Sequence, residues 1–98
     1  MYEFIEGKIV EKSPAHLVVH TGGIGYLINI SLYTYSRIAE QNEVRIFIHQ
    51  VIREDAHILF GFSNKEERDI FRQLISVSGI GANTARVILS SLSPNDVV

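Results

Sequence analysis

Hydrophobic and polar positions change rhythm once along this chain, close to Phe62. Before that point the period is two. Tyr26, Ile28 and Ile30 alternate with Leu27 and Asn29, and Val44, Ile46 and Ile48 alternate with Arg45, Phe47 and His49. Ile58, Phe60 and Phe62 alternate with Leu59 and Gly61. Strand-like runs also cover Phe4 to Glu11 and His16 to His20, so the pattern predicts five short strands. Ser13-Pro14 and Gly22-Gly23-Ile24-Gly25 mark turns. Gly7, inside the first run, predicts a bulge or sharp bend. Leu32 to Glu40 reads as a short helix or turn between the third and fourth strands. The alternation assigns Phe4, Phe47, Phe60 and Phe62 to inward, core-packing positions and leaves Tyr33 and Tyr35 open.

After Phe62 the spacing becomes helical. Ser63 with Glu66 has the form of a capping box, and Ile70, Phe71, Leu74 and Ile75 follow on one helix face. That helix is expected to end near Ser78-Gly79. A second runs from about Ala82 to Leu92, with Ala85, Ile88, Leu89 and Leu92 on its apolar side. Ser93-Pro94-Asn95-Asp96 then has the signals of a fresh helix start, which suggests a chain cut short. The fold class is α+β. Five strands suit either an SH3-like barrel or an oligonucleotide/oligosaccharide-binding (OB) barrel, and the helical insert after the third strand favours the OB-fold. The expected division is a barrel over residues 1–62 and a helix-hairpin-helix segment over residues 63–98.

The stretch joining the two helices carries the most chemistry. Gly79 and Gly81 flank Ile80, and neither glycine has a Cβ to forbid positive φ or to obstruct a close neighbour. Such a hairpin leaves backbone N–H groups bare at the Ile80 bend and at the start of the second helix. Unpaired donors and the positive end of the helix dipole attract phosphate there. Ile80 is expected to point inward and pin the turn. Asn83 and Thr84 add polar groups to the first turn, and Ala85 permits close helix approach. The plainer reading is a tight turn between helices. A nucleotide-binding phosphate loop fits poorly, because no Gly-Lys-Ser/Thr ending is present and a helix, not a strand, precedes the turn.

Bulk properties narrow the classes. The chain has 98 residues, 46% hydrophobic and 20% charged, which suits a folded domain and argues against disorder. It has no cysteine, so disulfide frameworks and thiolate metal sites are excluded. No apolar run is long enough to span a bilayer, and a cytoplasmic location is the default expectation. The formal net charge of −2 gives no basic stripe for DNA. A nucleic-acid binder of this charge must rely on backbone amides, local basic clusters and several linked copies, which points to an oligomer.

Glu54 and Asp55 fall between the fourth and fifth predicted strands, at a hairpin tip. Paired carboxylates can serve acid–base chemistry or bind a divalent metal, but adjacent residues on a tip diverge into water. By that reasoning the pair is a solvated turn. Glu66, Glu67, Asp69 and Asp96 occupy ordinary solvated helix positions, and His16, His20, His49 and His57 show no ligand-like grouping. No catalytic residue, metal site or cofactor site is assigned.

The parts in their order resemble the RuvA family, a DNA-binding subunit of the bacterial Holliday junction branch migration complex. The matching stretches are Gly7-Lys8-Ile9-Val10-Glu11-Lys12, Gly22-Gly23-Ile24-Gly25-Tyr26, Arg53-Glu54-Asp55-Ala56, the segment from Leu59-Phe60-Gly61-Phe62 to Arg68, and Gly79-Ile80-Gly81. The resemblance implies a non-enzymatic homotetramer that holds four-way junction DNA open and flat. It also implies two partners, the ATPase RuvB and the resolvase RuvC. Gly79, Ile80 and Gly81 match the family's first helix-hairpin-helix, with Asn83 where some relatives carry a basic residue and Thr84 as an added hydroxyl donor. Glu54 and Asp55 match its acidic pin, which reverses the solvated-turn reading. The family continues into a second helix-hairpin-helix and a C-terminal domain that docks on the ATPase. A general DNA-binding or protein-interaction module without junction specificity is the alternative.

Overall fold

The computed structural model describes residues 2–77 and 79–91. Five strands and three helices follow in the order β1 (Phe4–Lys12), β2 (His16–Thr21), β3 (Ile24–Ile30), α1 (Leu32–Ile38), β4 (Glu43–Arg53), β5 (Ala56–Phe62), α2 (Lys65–Ile75) and α3 (Ala82–Ser90). The strands close into a barrel in the order β1-β2-β3-β5-β4. Every pairing is antiparallel except β3 with β5, where Asn29 lies opposite Phe60 and Ile30 opposite Gly61. This is the expected α+β, OB-fold-like architecture, with the insert α1 between the third and fourth strands.

Two cores explain the change of rhythm. Inside the barrel, Ile5, Leu17, Val19, Ile28, Ile30, Ile46 and Ile48 are buried together with Ile38 of α1. Beneath the helices, Phe60 and Phe62 pack with Phe71, Ala85 and Leu89. The end of β5, from Phe60 to Phe62, is therefore buried on both faces. Gly61 faces the barrel interior, where an added Cβ would lie 2.4 Å from Ile46 Cγ2 and 2.5 Å from Ile28 Cγ2. Its neighbours Phe60 and Phe62 face outward, onto α2 and α3.

That arrangement corrects several expectations. Phe60 and Phe62 are buried, but in the second core. Phe4 is 43% exposed, because Ile5 takes the inward position and leaves Phe4 on the outer face beside Phe47. Arg45 covers the Phe4 ring at 4.7 Å. Tyr33 is buried and Tyr35 partly so, which assigns both to packing. The irregularity in β1 falls between Ile9 and Glu11, not at Gly7. Gly7 instead allows the strands to approach, since a Cβ there would meet the His20 carbonyl oxygen at 2.4 Å.

Helix α2 begins one residue later than the Ser63 box implies. Asn64 is the N-cap, and its Oδ1 accepts the Glu67 N–H at 2.8 Å. Glu67, expected in solvent, is completely buried. Its carboxylate accepts hydrogen bonds from Ser31 Oγ and Thr34 Oγ1, both at 2.5 Å, and so ties α2 to the first turn of α1. Burial raises the Glu67 pKa above its ordinary value, and the two hydroxyls only partly offset that. Lys12 holds the other end of α1, donating to the carbonyls of Ala39 at 2.6 Å and Gln41 at 3.1 Å. Arg68 donates to the Glu3 carboxylate and to the Ile48 carbonyl, which anchors α2 on the barrel wall.

Candidate nucleic-acid interface

Two exposed turns present opposite chemistry. The first joins α2 and α3. Gly79 has φ +88°, a value that L side chains rarely adopt, so the turn itself requires glycine there. Gly81 is different. It is the N-cap of α3 with φ −86° and ψ 169°, an ordinary extended conformation, and an added Cβ would meet nothing within 4 Å. The fold therefore leaves open space over Gly81 and does not itself demand glycine.

No side chain caps α3. Among the described residues, Ala85 is the first of this helix whose N–H meets an acceptor, the Gly81 carbonyl at 3.0 Å. The N–H groups of Ala82, Asn83 and Thr84 precede it, at the positive end of the helix dipole. Gly79, Gly81, Asn83 and Thr84 are all exposed. Ile80 is partly buried against the Phe60–Phe71 core, so it pins the turn as its hydrophobicity implies. One detail needs correction. The Ile80 N–H is not bare but donates to the Val77 carbonyl at 3.2 Å. The Ile80 amide is therefore not among the available donors, which include those of the helix start.

The second turn joins β4 and β5. β4 pairs with β1 only from Glu43 to Phe47, and β5 pairs with β3 only at Phe60 and Gly61. Beyond His49 the two strands pair with each other alone, projecting roughly 15 Å as a ribbon at the usual strand rise. Arg53 pairs with Ala56, which leaves Glu54 and Asp55 as the two-residue turn at the ribbon's end, both exposed. Val51 and Ile58 pack the ribbon's inner face on the helical core. At its base, Arg72 Nε donates to His49 Nδ1 at 3.1 Å, and the His49 ring meets Phe71 edge-on. Burial first, then the charges of Arg72 and Arg68, lower the His49 pKa, which favours the neutral ring that can accept that bond. The tip is thus carried on a braced stalk.

Sequence reasoning missed the contacts that join the helices to the barrel. Arg86 donates to the carbonyls of Ala15 and Ile30, and Ser90 Oγ accepts the Leu32 N–H. Glu67 was legible in principle, since it lies three and four residues before Ile70 and Phe71 and so shares their apolar face. No group of three or more His, Cys, Asp or Glu placed to hold a metal occurs among the described residues. Ser93 to Asp96, and Leu92 on the second helix's apolar side, lie outside the described residues.

The family model for the RuvA N terminal domain matches residues 1–61. The chain belongs to the RuvA family. It is 55% identical over 98 residues to the Holliday junction branch migration complex subunit RuvA of Parabacteroides distasonis, covering all of this chain and 50% of that protein. The protein of the same name from Bacteroides fragilis is 54% identical over the same 98 residues, 49% of its own length. That of Flavobacterium psychrophilum is 50% identical over 98 residues, 51% of its length. The chain spans about half the length of the curated relatives it matches.

Proposed function

We propose that the chain is the barrel and first helix-hairpin-helix of a non-catalytic subunit that binds four-way junction DNA, holds it open and flat, and supports branch migration in recombination and repair. The observation that carries this reading is the uncapped start of α3, where N–H groups without a side-chain cap lie beside a Gly81 that the fold does not require. A phosphate backbone can approach a helix start closely only where no side chain intervenes. Gly79 shapes the turn, Ile80 anchors it, and Gly81, Asn83 and Thr84 meet the sugar–phosphate chain. Because backbone amides read no base edge, the grip is independent of sequence.

Glu54 and Asp55 have the opposite task. Carboxylates at the end of a stalk repel phosphates, so several tips meeting at a junction centre keep the strands apart. Four copies suit a four-armed substrate, and a homotetramer supplies the linked hairpins that a net charge of −2 demands. Residues 1–62 form the barrel domain and residues 63–98 belong to the DNA-gripping domain. The relatives are named as subunits of a Holliday junction branch migration complex, which supports work alongside other subunits; a separate ATPase (RuvB), a resolvase (RuvC) and a cytoplasmic setting complete the proposal. No helix among the described residues is long and apolar enough to cross a membrane.

A competition gel shift with the full-length protein tests the reading, comparing a four-way junction with duplex of equal length. Preference for the junction, independent of arm sequence, is expected. Equal affinity for both forms would favour the general DNA-binding module instead.

A further inference from the structure

Arg86 is the single basic side chain of α3, one turn beyond the phosphate-gripping start. A cation in that neighbourhood would ordinarily serve phosphate. Here it turns away from the hairpin. Its Nη1 donates to the Ala15 carbonyl at 3.1 Å and to the Ile30 carbonyl at 3.4 Å. Both acceptors belong to the barrel, one on the β1–β2 turn and one at the end of β3, where the Ile30 N–H also donates to the Ala15 carbonyl at 2.9 Å. One turn further on, Ser90 Oγ accepts the Leu32 N–H at 2.9 Å and donates to the Arg86 carbonyl at 2.9 Å. Helix α3 is thus tied to the barrel at two levels, on the β1–β2 turn, the end of β3 and the start of α1.

The remaining grip on α3 is apolar. Ala85 and Leu89 are completely buried against the phenylalanines of the second core. Apolar burial is non-directional, so that face alone permits the helix to roll or slide. Charge-assisted hydrogen bonds to fixed carbonyls are directional and do not. A duplex needs only the hairpin amides. A four-way junction needs hairpins and acidic tips placed together, so it is sensitive to small errors in where α3 points.

We propose that Arg86 and Ser90 are positioning residues that aim the glycine hairpin relative to the barrel and its acidic tip, and so set selectivity for junction over duplex. This rests on the junction-binding reading above. The test uses full-length protein carrying Arg86→Met, which keeps much of the aliphatic stem, or Ser90→Ala. Dissociation constants for a four-way junction and an equal-length duplex are measured beside thermal melting. For Arg86→Met the junction-over-duplex ratio should fall about tenfold while duplex affinity stays within about twofold, since charged hydrogen bonds contribute on that scale. Both affinities falling together, or an unmoved ratio in folded protein, would overturn the proposal. Should Arg86→Met not fold, Ser90→Ala decides: a fall of about threefold is expected from one neutral hydrogen bond, and no fall overturns the proposal. Wild-type protein without junction preference defeats the functional reading and the positioning role together. Preference retained in both variants defeats the positioning role alone.

Discussion

The ribbon tip and the helical hairpin are both tight, exposed turns, yet they are built from opposite materials. The β4–β5 turn ends in two carboxylates on a stalk braced by Val51, Ile58 and the Arg72–His49 bond. The α2–α3 turn ends in glycines, with no side-chain cap over the helix start and Ile80 anchored below. One turn adds negative charge, and the other leaves open space over Gly79 and Gly81. The difference teaches how a chain of net charge −2 can suit a polyanion. In the proposed reading, attraction comes from oriented backbone dipoles, which formal charge does not count, and the acidic residues work where strands must be kept away.

The comparison breaks most visibly at Gly81. Gly81→Asp places a carboxylate over the helix start, while the open space around it leaves the fold intact. Junction and duplex affinity should both fall, by about tenfold or more, with a melting temperature unchanged or slightly raised, because aspartate is a favourable N-cap. A lowered melting temperature with DNA binding retained would assign Gly81 to folding. At the other turn, Glu54→Lys with Asp55→Lys should preserve or strengthen binding but impair junction opening, read by fluorescence transfer between arm ends. Arms that stay flat and open would remove the guiding role.

A smaller effect tests the joint between the two regions. Glu67 has a raised pKa in the folded chain, so the native state holds its proton more tightly than the unfolded chain does. From its unfolded value of about 4.5 upward, that difference lowers stability as pH rises, until the folded pKa is passed. Glu67→Gln removes this dependence. Its stability relative to wild type, from urea unfolding, should therefore grow between pH 4.5 and pH 7. A constant difference would show that folding leaves the Glu67 pKa unchanged. The smallest expected effect is that of Asn83→Lys, which adds one cation beside the grip. It should strengthen DNA binding a few-fold and steepen the salt dependence by about one unit. No change in slope would place Asn83 outside the interface.

Much of this fold is legible in the residues themselves. The change from period two to helical spacing near Phe62 marks the real junction between barrel and helices, and the insert before β4 separates this barrel from other five-stranded ones. Alternation cannot say which side of β5 is the barrel interior, because both sides are buried. Phe60 and Phe62 therefore pack under the helices while Gly61 lines the barrel. The cap shifted by one residue because Ser63 and Asn64 are both competent caps, and only tertiary contact selects Asn64. Glu67 and Arg86 escaped for a shared reason. Charged residues are read as solvated by default, and the partners that hold these two lie far away in sequence.

The claim on which the rest depends is that the first N–H groups of α3 hold phosphate without reading bases. Amide chemical shifts of Ala82, Asn83 and Thr84, followed by NMR during titration with two junctions of unrelated sequence, test it most directly. The account expects these amides to move downfield, and to the same extent with both DNAs. Amides of α3 that stay still while other residues respond, or shifts that depend on base sequence, would contradict it.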